Sequence, residues 1–237
     1  TSDQALKIIE EADRRHLTLM VDHTFVYTGA VRRMRELIKE PSFGNPSYFD
    51  STRINLGLFQ NDVNVLWDLA VHDLSIMSYV FDAKPVAVSA TGHNHVEGQP
   101  ENVAFLTVFF NCNLVAHINV SWLSPVKVRK TLIGGTKQMI VYDDLETSEK
   151  LKVYDKGITV SDDPDHIHKL LIGYRTGDLW SPRTNDTEAL KIEVSHFVNC
   201  INGLEKPITG GEEGLGIVRI LEAANSSMHM RGAPVDL

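Results

Sequence analysis

Apolar residues recur at helical spacing through Val65-Leu66-Trp67-Asp68-Leu69-Ala70-Val71-His72-Asp73-Leu74-Ser75-Ile76-Met77-Ser78-Tyr79-Val80. Leu66, Leu69, Ile76, Met77 and Val80 supply the anchoring stripe, so the pattern predicts a helix over 65–80. Four more stretches follow the same rule. Thr1 or Ser2 caps an amphipathic run to Arg15, and Gly29 to Lys39 forms another, ended by Pro41, Gly44 and Pro46. Thr187 or Asp186 caps 188–201, which Gly203 stops, and Gly210-Gly211 leads into 212–230.

Between the helices the period shortens to that of strands. Leu17–Val21 is a short β-rich run directly after the first helix, and Tyr48–Ile54 alternates loosely. From Lys84 the character changes. The segments 84–94, 103–111, 114–122, 126–134 and 138–142 are short β-rich runs, with Leu151–Tyr154 and Lys169–Gly173 as further strands. Asn111-Cys112-Asn113 and Gly134-Gly135 are the expected hairpin turns, so successive hairpins should build an antiparallel sheet. The expected fold is α/β followed by α+β, with a large, mainly antiparallel open sheet carrying helices on one face. Helix-then-strand at the start is the rhythm of a parallel α/β sheet. One such unit cannot bury both its faces, so more sheet is expected upstream of Thr1. The apolar stretch Asn55–Asp62 reads as a loop that covers a site.

Composition narrows the function classes. With 237 residues, 43% apolar and 23% charged, the chain can build a sizeable core. A net charge of −8 without a basic cluster argues against nucleic acid and anionic membranes as partners. No apolar run reaches the roughly 18 residues of a membrane span. Cys112 and Cys200 form neither metal nor disulfide spacing, which suits a reduced, cytoplasmic setting.

The candidate chemistry centres on the 65–80 helix. At 3.6 residues per turn, Asp68 and His72 share one face, one turn apart. An imidazole titrates near neutrality and can take a proton from a hydroxyl, and a carboxylate beside it can orient ring or substrate. The alternative is a plain polar pair, with Asp68 as a dipole-favoured residue near the helix start. Arg53 could bind an anionic group or be a surface arginine, and the polar segment Tyr174-Arg175-Thr176-Gly177-Asp178 could reach over a pocket to contact substrate or be a surface loop. His93, His95, His166 and His168 lack further ligands at metal spacing, so no metal is expected. Gly210-Gly211 precedes a helix but reads as a plain turn. No G-x-G-x-x-G or G-x-S-x-G occurs.

These residues resemble the C-terminal part of the glucose–fructose oxidoreductase / inositol dehydrogenase / rhizopine catabolism (Gfo/Idh/MocA) family. Its D-x-G-x-H element reads here Asp68-Leu69-Ala70-Val71-His72, with Ala70 for the usual glycine. Leu19-Met20-Val21-Asp22-His23 resembles the last Rossmann strand, and Pro207-Ile208-Thr209-Gly210-Gly211-Glu212 the lead into the closing helix. The resemblance implies residues 1–26 as the end of a Rossmann cofactor domain and 27–237 as a substrate-binding and oligomerisation domain. It implies reversible hydride transfer between NAD or NADP and a carbinol of a sugar, nucleotide sugar or polyol. His72 would be the acid/base and Asp68 the substrate-orienting carboxylate, with Arg53, Tyr174 and Arg175 as substrate contacts. The family's Glu-Lys-Pro lysine and glycine fingerprint would lie upstream of Thr1. The chain alone is therefore expected to bind cofactor poorly and not to turn over. Asn55–Leu69 with Tyr174–Asp178 looks most like members acting on nucleotide-linked sugars.

Two other readings compete. One is a non-catalytic assembly module of the same fold. The other is a metal-dependent hydrolase or isomerase using His72, Asp73 and His93. The apolar outward face expected on the meander, Val103, Phe105, Phe109, Val115, Ile118, Val120 and Trp122 in alternating sets, exceeds what one sheet face can bury, so a homo-oligomer packed through the open sheet is expected.

Overall fold

Thr1 closes a capping box with Gln4, whose backbone N–H donates to the threonine hydroxyl, and opens α1 (Ser2–Arg14). This computed structural model describes residues 1–57, 59–160 and 172–237, with the side chains of 158–160 and 172–174 outside the description. After α1 the segment 17–23 is extended but joins no ladder. Val21 instead donates its N–H to the Thr209 carbonyl (2.7 Å) and accepts from the Thr209 hydroxyl (2.7 Å). The strand expected at 17–21 is thus absent as a strand, because no neighbouring strand among the described residues runs beside it. A 3-10 turn (Thr24–Tyr27) leads to Thr28, which caps α2 (Gly29–Lys39).

β1 (Pro46–Leu56) follows, then a single π-type turn (Leu66–Ala70) running into α3 (Val71–Val80). The chain continues through β2 (Pro85–His93), β3 (Val103–Phe110), β4 (Val115–Ser121), β5 (Leu123–Gly135), β6 (Met139–Asp143) and β7 (Leu151–Tyr154). Among the described residues β8 (Gly157–Val160) pairs with β9 (Ile172–Arg175), and β10 (Leu179–Trp180) adds to β7. α4 (Ala189–Ile201), α5 (Gly211–His229) and β11 (Val235–Asp236) complete the chain. Residues 169–171 of the last expected strand, and His166 and His168, lie outside the described residues. No side chain caps α4. Thr187, expected there, instead donates its backbone N–H to Asn185. Among the described residues no helix is long and apolar enough to cross a membrane.

The main sheet has the order β10-β7-β6-β5-β1-β4-β3-β2-β11 among the described residues. Every neighbouring pair is antiparallel except β1 with β4. The sheet is therefore not a simple run of hairpins. β4 and β5 are consecutive but unpaired, because β1 lies between them. The chain crosses the end of β1 in one residue, Trp122, between Ser121 (opposite Ile54) and Leu123 (opposite Leu56).

One face packs against the helices. Phe49, Leu106, Val108, Ile118, Val120, Ile133 and Ile140 point inward and are buried. Trp122 is fully buried as well, so Ile118, Val120 and Trp122 belong to this core and not to the outer set the sequence suggested. The outer face keeps Tyr48, Phe105, Phe109 and Val115 exposed. Gly134 and Gly135 are the last residues of β5 rather than a turn. A Cβ on Gly134 would stand 2.1 Å from the Tyr48 ring, so the cross-strand tyrosine requires glycine there.

Candidate active site

The helix carrying Asp68 and His72 starts from a clamp the sequence did not reveal. The buried Asn64 accepts the Leu66 N–H through Oδ1 (3.2 Å), and its Nδ2 donates to Asn225 on α5 (2.9 Å) and to Glu101 (3.2 Å). Asn64→Ala removes a cap and two cross-links together, so it should cost about 1–2 kcal/mol, measured as a shift in urea midpoint with unchanged slope. A loss under a few tenths of a kcal/mol would show that the helix start holds without it.

From that start the chain does not wind as the continuous α-helix expected over 65–80. Val71 N–H reaches back to the Leu66 carbonyl, and Leu66–Ala70 makes a π-type turn before α3 begins. Such a turn holds one more residue than an α-turn and frequently marks a functional site. Asp68 sits in it, and His72 lies in the first turn of α3. Both are half-buried. Ala70, where the family carries glycine, is fully buried in the core.

His72 packs against Phe25 of the 3-10 turn, with ring centroids 5.1 Å apart. Burial, and next the Arg53 charge, push its pKa down to about 4, against a weaker upward pull from Asp73 and Asp68. The ring is neutral at neutral pH, the form that accepts a proton.

Arg53 points inward from β1, is 3% exposed and lies 4.6 Å over the Phe25 ring. Its Nε donates to Asp73 Oδ2 (2.8 Å) and its Nη2 to Asp73 Oδ1 (3.1 Å). The Ser51 hydroxyl donates to the same Oδ1 at 2.8 Å. The guanidinium is therefore turned to Asp73 rather than left open for a substrate anion, and its remaining Nη1 is buried. Arg53, offered by the sequence as an anion site, is here the ion-pair partner of Asp73, and its charge acts on His72. Asp73, adjacent in sequence, is the partner that was missed.

Arg175 is not brought to this place. It pairs with Asp155 (2.7 Å) and donates to the Lys137 carbonyl (2.6 Å), beside the start of β1. The seven residues from Pro46 to Arg53 put it at the far end of the strand, about 23 Å from Arg53 at 3.3 Å per residue. The Tyr174 side chain lies outside the described residues. Among the described residues no group of three His, Cys, Asp or Glu could hold a metal. Asp73 is committed to Arg53 and Ser51, and His93 is exposed at the end of β2.

The second missed residue is Trp122. Its indole N–H donates to Asp68 Oδ2 at 2.7 Å, and the Phe59 ring covers it with centroids 5.6 Å apart. Asp68, with one carboxylate oxygen held by Trp122, and the neutral His72 one turn along are groups able to orient a hydroxyl and to accept its proton.

Residues 31–141 match the family profile described as the GFO/IDH/MocA C-terminal domain. Over that stretch the chain is similar to the C-terminal domain of the Gfo/Idh/MocA family. UDP-N-acetylglucosamine 3-dehydrogenase of Acidithiobacillus ferrooxidans is 27% identical over 159 residues, which are 66% of this chain and 48% of that protein. The match thus spans about half the length of that relative. Its solved structure superposes with a TM-score of 0.77 at 21% identity, covering 97% of this chain and 67% of the other. Aldose-aldose oxidoreductase of Caulobacter crescentus, solved with glycerol, gives a TM-score of 0.80 at 15% identity, covering 100% and 69%. An Agrobacterium radiobacter oxidoreductase solved with NAD+ gives 0.74 at 15% identity, covering 100% and 70%. At these identities the superpositions speak for the fold.

Proposed function

We propose that this chain is the substrate-binding and assembly half of an NAD(P)-dependent oxidoreductase acting on a carbinol of a sugar or nucleotide sugar. The observation that carries the reading is a neutral, half-buried His72 one turn along from Asp68, whose Oδ2 is held by Trp122 while Oδ1 makes no bond among the described residues. The cofactor would accept the hydride when bound. We assign residues 1–26 to the end of a cofactor domain and 27–237 to the substrate domain, as the resemblance implies. This chain's share of the chemistry is the proton. Asp68 orients the substrate hydroxyl, His72 removes its proton as the carbinol becomes a carbonyl, and the packing of Phe25 restricts the ring. The free thiols of Cys112 and Cys200 suit a reducing, cytoplasmic setting.

The test is a screen of the holoenzyme, this chain joined to its cofactor domain, with NAD and NADP against UDP-hexoses, free hexoses and polyols. Reduced nicotinamide should appear with at least one sugar. No reduction of either cofactor by any of them would sink the reading.

The outer sheet face gives the assembly half. Tyr48, Val115 and Phe109 are neighbours across β1, β4 and β3, a contiguous exposed apolar row with Phe105 beside it. A homodimer packed sheet to sheet would cover it. Phe109→Glu should shift sedimentation at micromolar concentration from dimer to monomer. A monomeric parent protein would refute this.

A further inference from the structure

We propose that Trp122 is the positioning residue of this site, and that Phe59 beside it is the wall against which a pyranose ring lies to reach Asp68. The proposal rests on the reading of Asp68 and His72 above and narrows the substrate to a cyclic sugar.

Trp122 is the single residue by which the chain crosses from β4 over the end of β1 into β5, so its backbone is pinned on both sides. Its N–H donates to the Asn102 carbonyl (2.9 Å), and its carbonyl accepts from Gly57 N–H (3.0 Å). The ring is fully buried. An indole buried this deeply needs a partner for its one N–H. Asp68 Oδ2, at 2.7 Å, is that partner. A charge-assisted bond of this kind is short and directional. It fixes one carboxylate oxygen and leaves Oδ1 for a substrate hydroxyl.

The loop after β1 is shaped to the same ring. A Cβ on Gly57 would stand 2.4 Å from Trp122 Cδ1, so any side chain there would drive the indole off Asp68. Two residues on, Phe59 leans on Trp122 at 54° and remains 37% exposed. An open aromatic surface leaning on the ring that holds the carboxylate matches a pyranose, which has an apolar C–H face and hydroxyls at its rim. An open-chain polyol presents no such flat face.

The test uses the holoenzyme with UDP-N-acetylglucosamine as the ring probe and glucitol as the open-chain probe. Trp122→Phe keeps a ring and removes the donor. It should lower kcat about 30-fold with KM changed less than about threefold, the cost of a misplaced group. On an Asp68→Asn background the same change should cost less than about twofold, because Trp122 acts through Asp68. Equal losses in both backgrounds would overturn the proposal. Phe59→Ala should raise KM for the ring probe about tenfold and lower the ring-over-polyol ratio of kcat/KM by the same factor. A KM within twofold of the parent would remove the wall. If Trp122→Phe does not fold, the indole N–H resonance decides: it should move upfield in Asp68→Asn, and an unmoved resonance overturns the bond. Turnover that survives His72→Ala would instead overturn the underlying reading, with Trp122 and Phe59 untouched by that result.

Discussion

Changing His72 to alanine in the holoenzyme is expected to lower kcat/KM about a thousandfold, with cofactor affinity within about twofold of the parent. The size follows from the role. General-base catalysis by a positioned side chain contributes typically about 10²–10⁴. Among the described residues the two carboxylates that act on the ring are engaged, Asp68 with Trp122 and Asp73 with Arg53 and Ser51, and His23 is the other imidazole near it. The pH profile gives an independent check. His72 works as a base only when neutral, and burial with the Arg53 charge lowers its pKa to about 4. Oxidation should therefore hold its rate as pH falls through 6.5, where an ordinary histidine would already titrate, and decline only near pH 4. An acid limb near 6.5 would show that the ring is more open than its packing against Phe25 implies. Turnover within a few-fold of the parent after His72→Ala would remove the residue from the mechanism and favour an assembly module of the same fold.

How much of this was legible depended on the range of the interaction. The helices were visible because their apolar spacing and end signals are local: Thr1 ahead of Ser2, Pro41 and Gly44 after Lys39, Gly203 after Ile201. The strands were visible for the same reason, but their order was not. Periodicity places β4 and β5 correctly along the chain and says nothing of β1 lying between them. That arrangement explains two misreadings at once. It turns Trp122 from an outer-face residue into a buried crossing, and it moves Gly134-Gly135 from a turn into a strand under Tyr48. The site was half legible. Asp68 and His72 stand four apart in sequence, yet nothing within Leu66–Ala70 marks the π-type turn. It lies between partners from elsewhere in the chain, Asn225 reaching Asn64 and Trp122 reaching Asp68. Arg53 was seen as a free cation because its neutralising partner, Asp73, comes from another element and meets it only in the folded state. Arg175 was placed by the residue types around it, and no local pattern reports which end of a sheet a loop reaches.

Asp73→Asn is expected to destabilise the fold by about 3–5 kcal/mol, measured by urea unfolding. The substitution keeps shape and removes charge, which leaves the Arg53 guanidinium in a site where it is 3% exposed without its counter-ion. Its Nη1 already has no partner, so the loss cannot be absorbed by a new bond within the described residues. The matching double change, Arg53→Met with Asp73→Leu, should recover most of that loss, since apolar replacements of a whole buried pair are often neutral or stabilising. A single Asp73→Asn costing under about 1 kcal/mol would mean that water reaches Arg53. The double variant then separates stability from function. At His72 the Arg53 charge outweighs that of Asp73, so removing both should raise the ring's pKa and carry the acid limb of the rate profile upward from about 4. A protein that regains its stability but begins to lose activity at a higher pH would show what the buried pair does here. It sets the protonation of the base above it, at a stability that apolar residues could match.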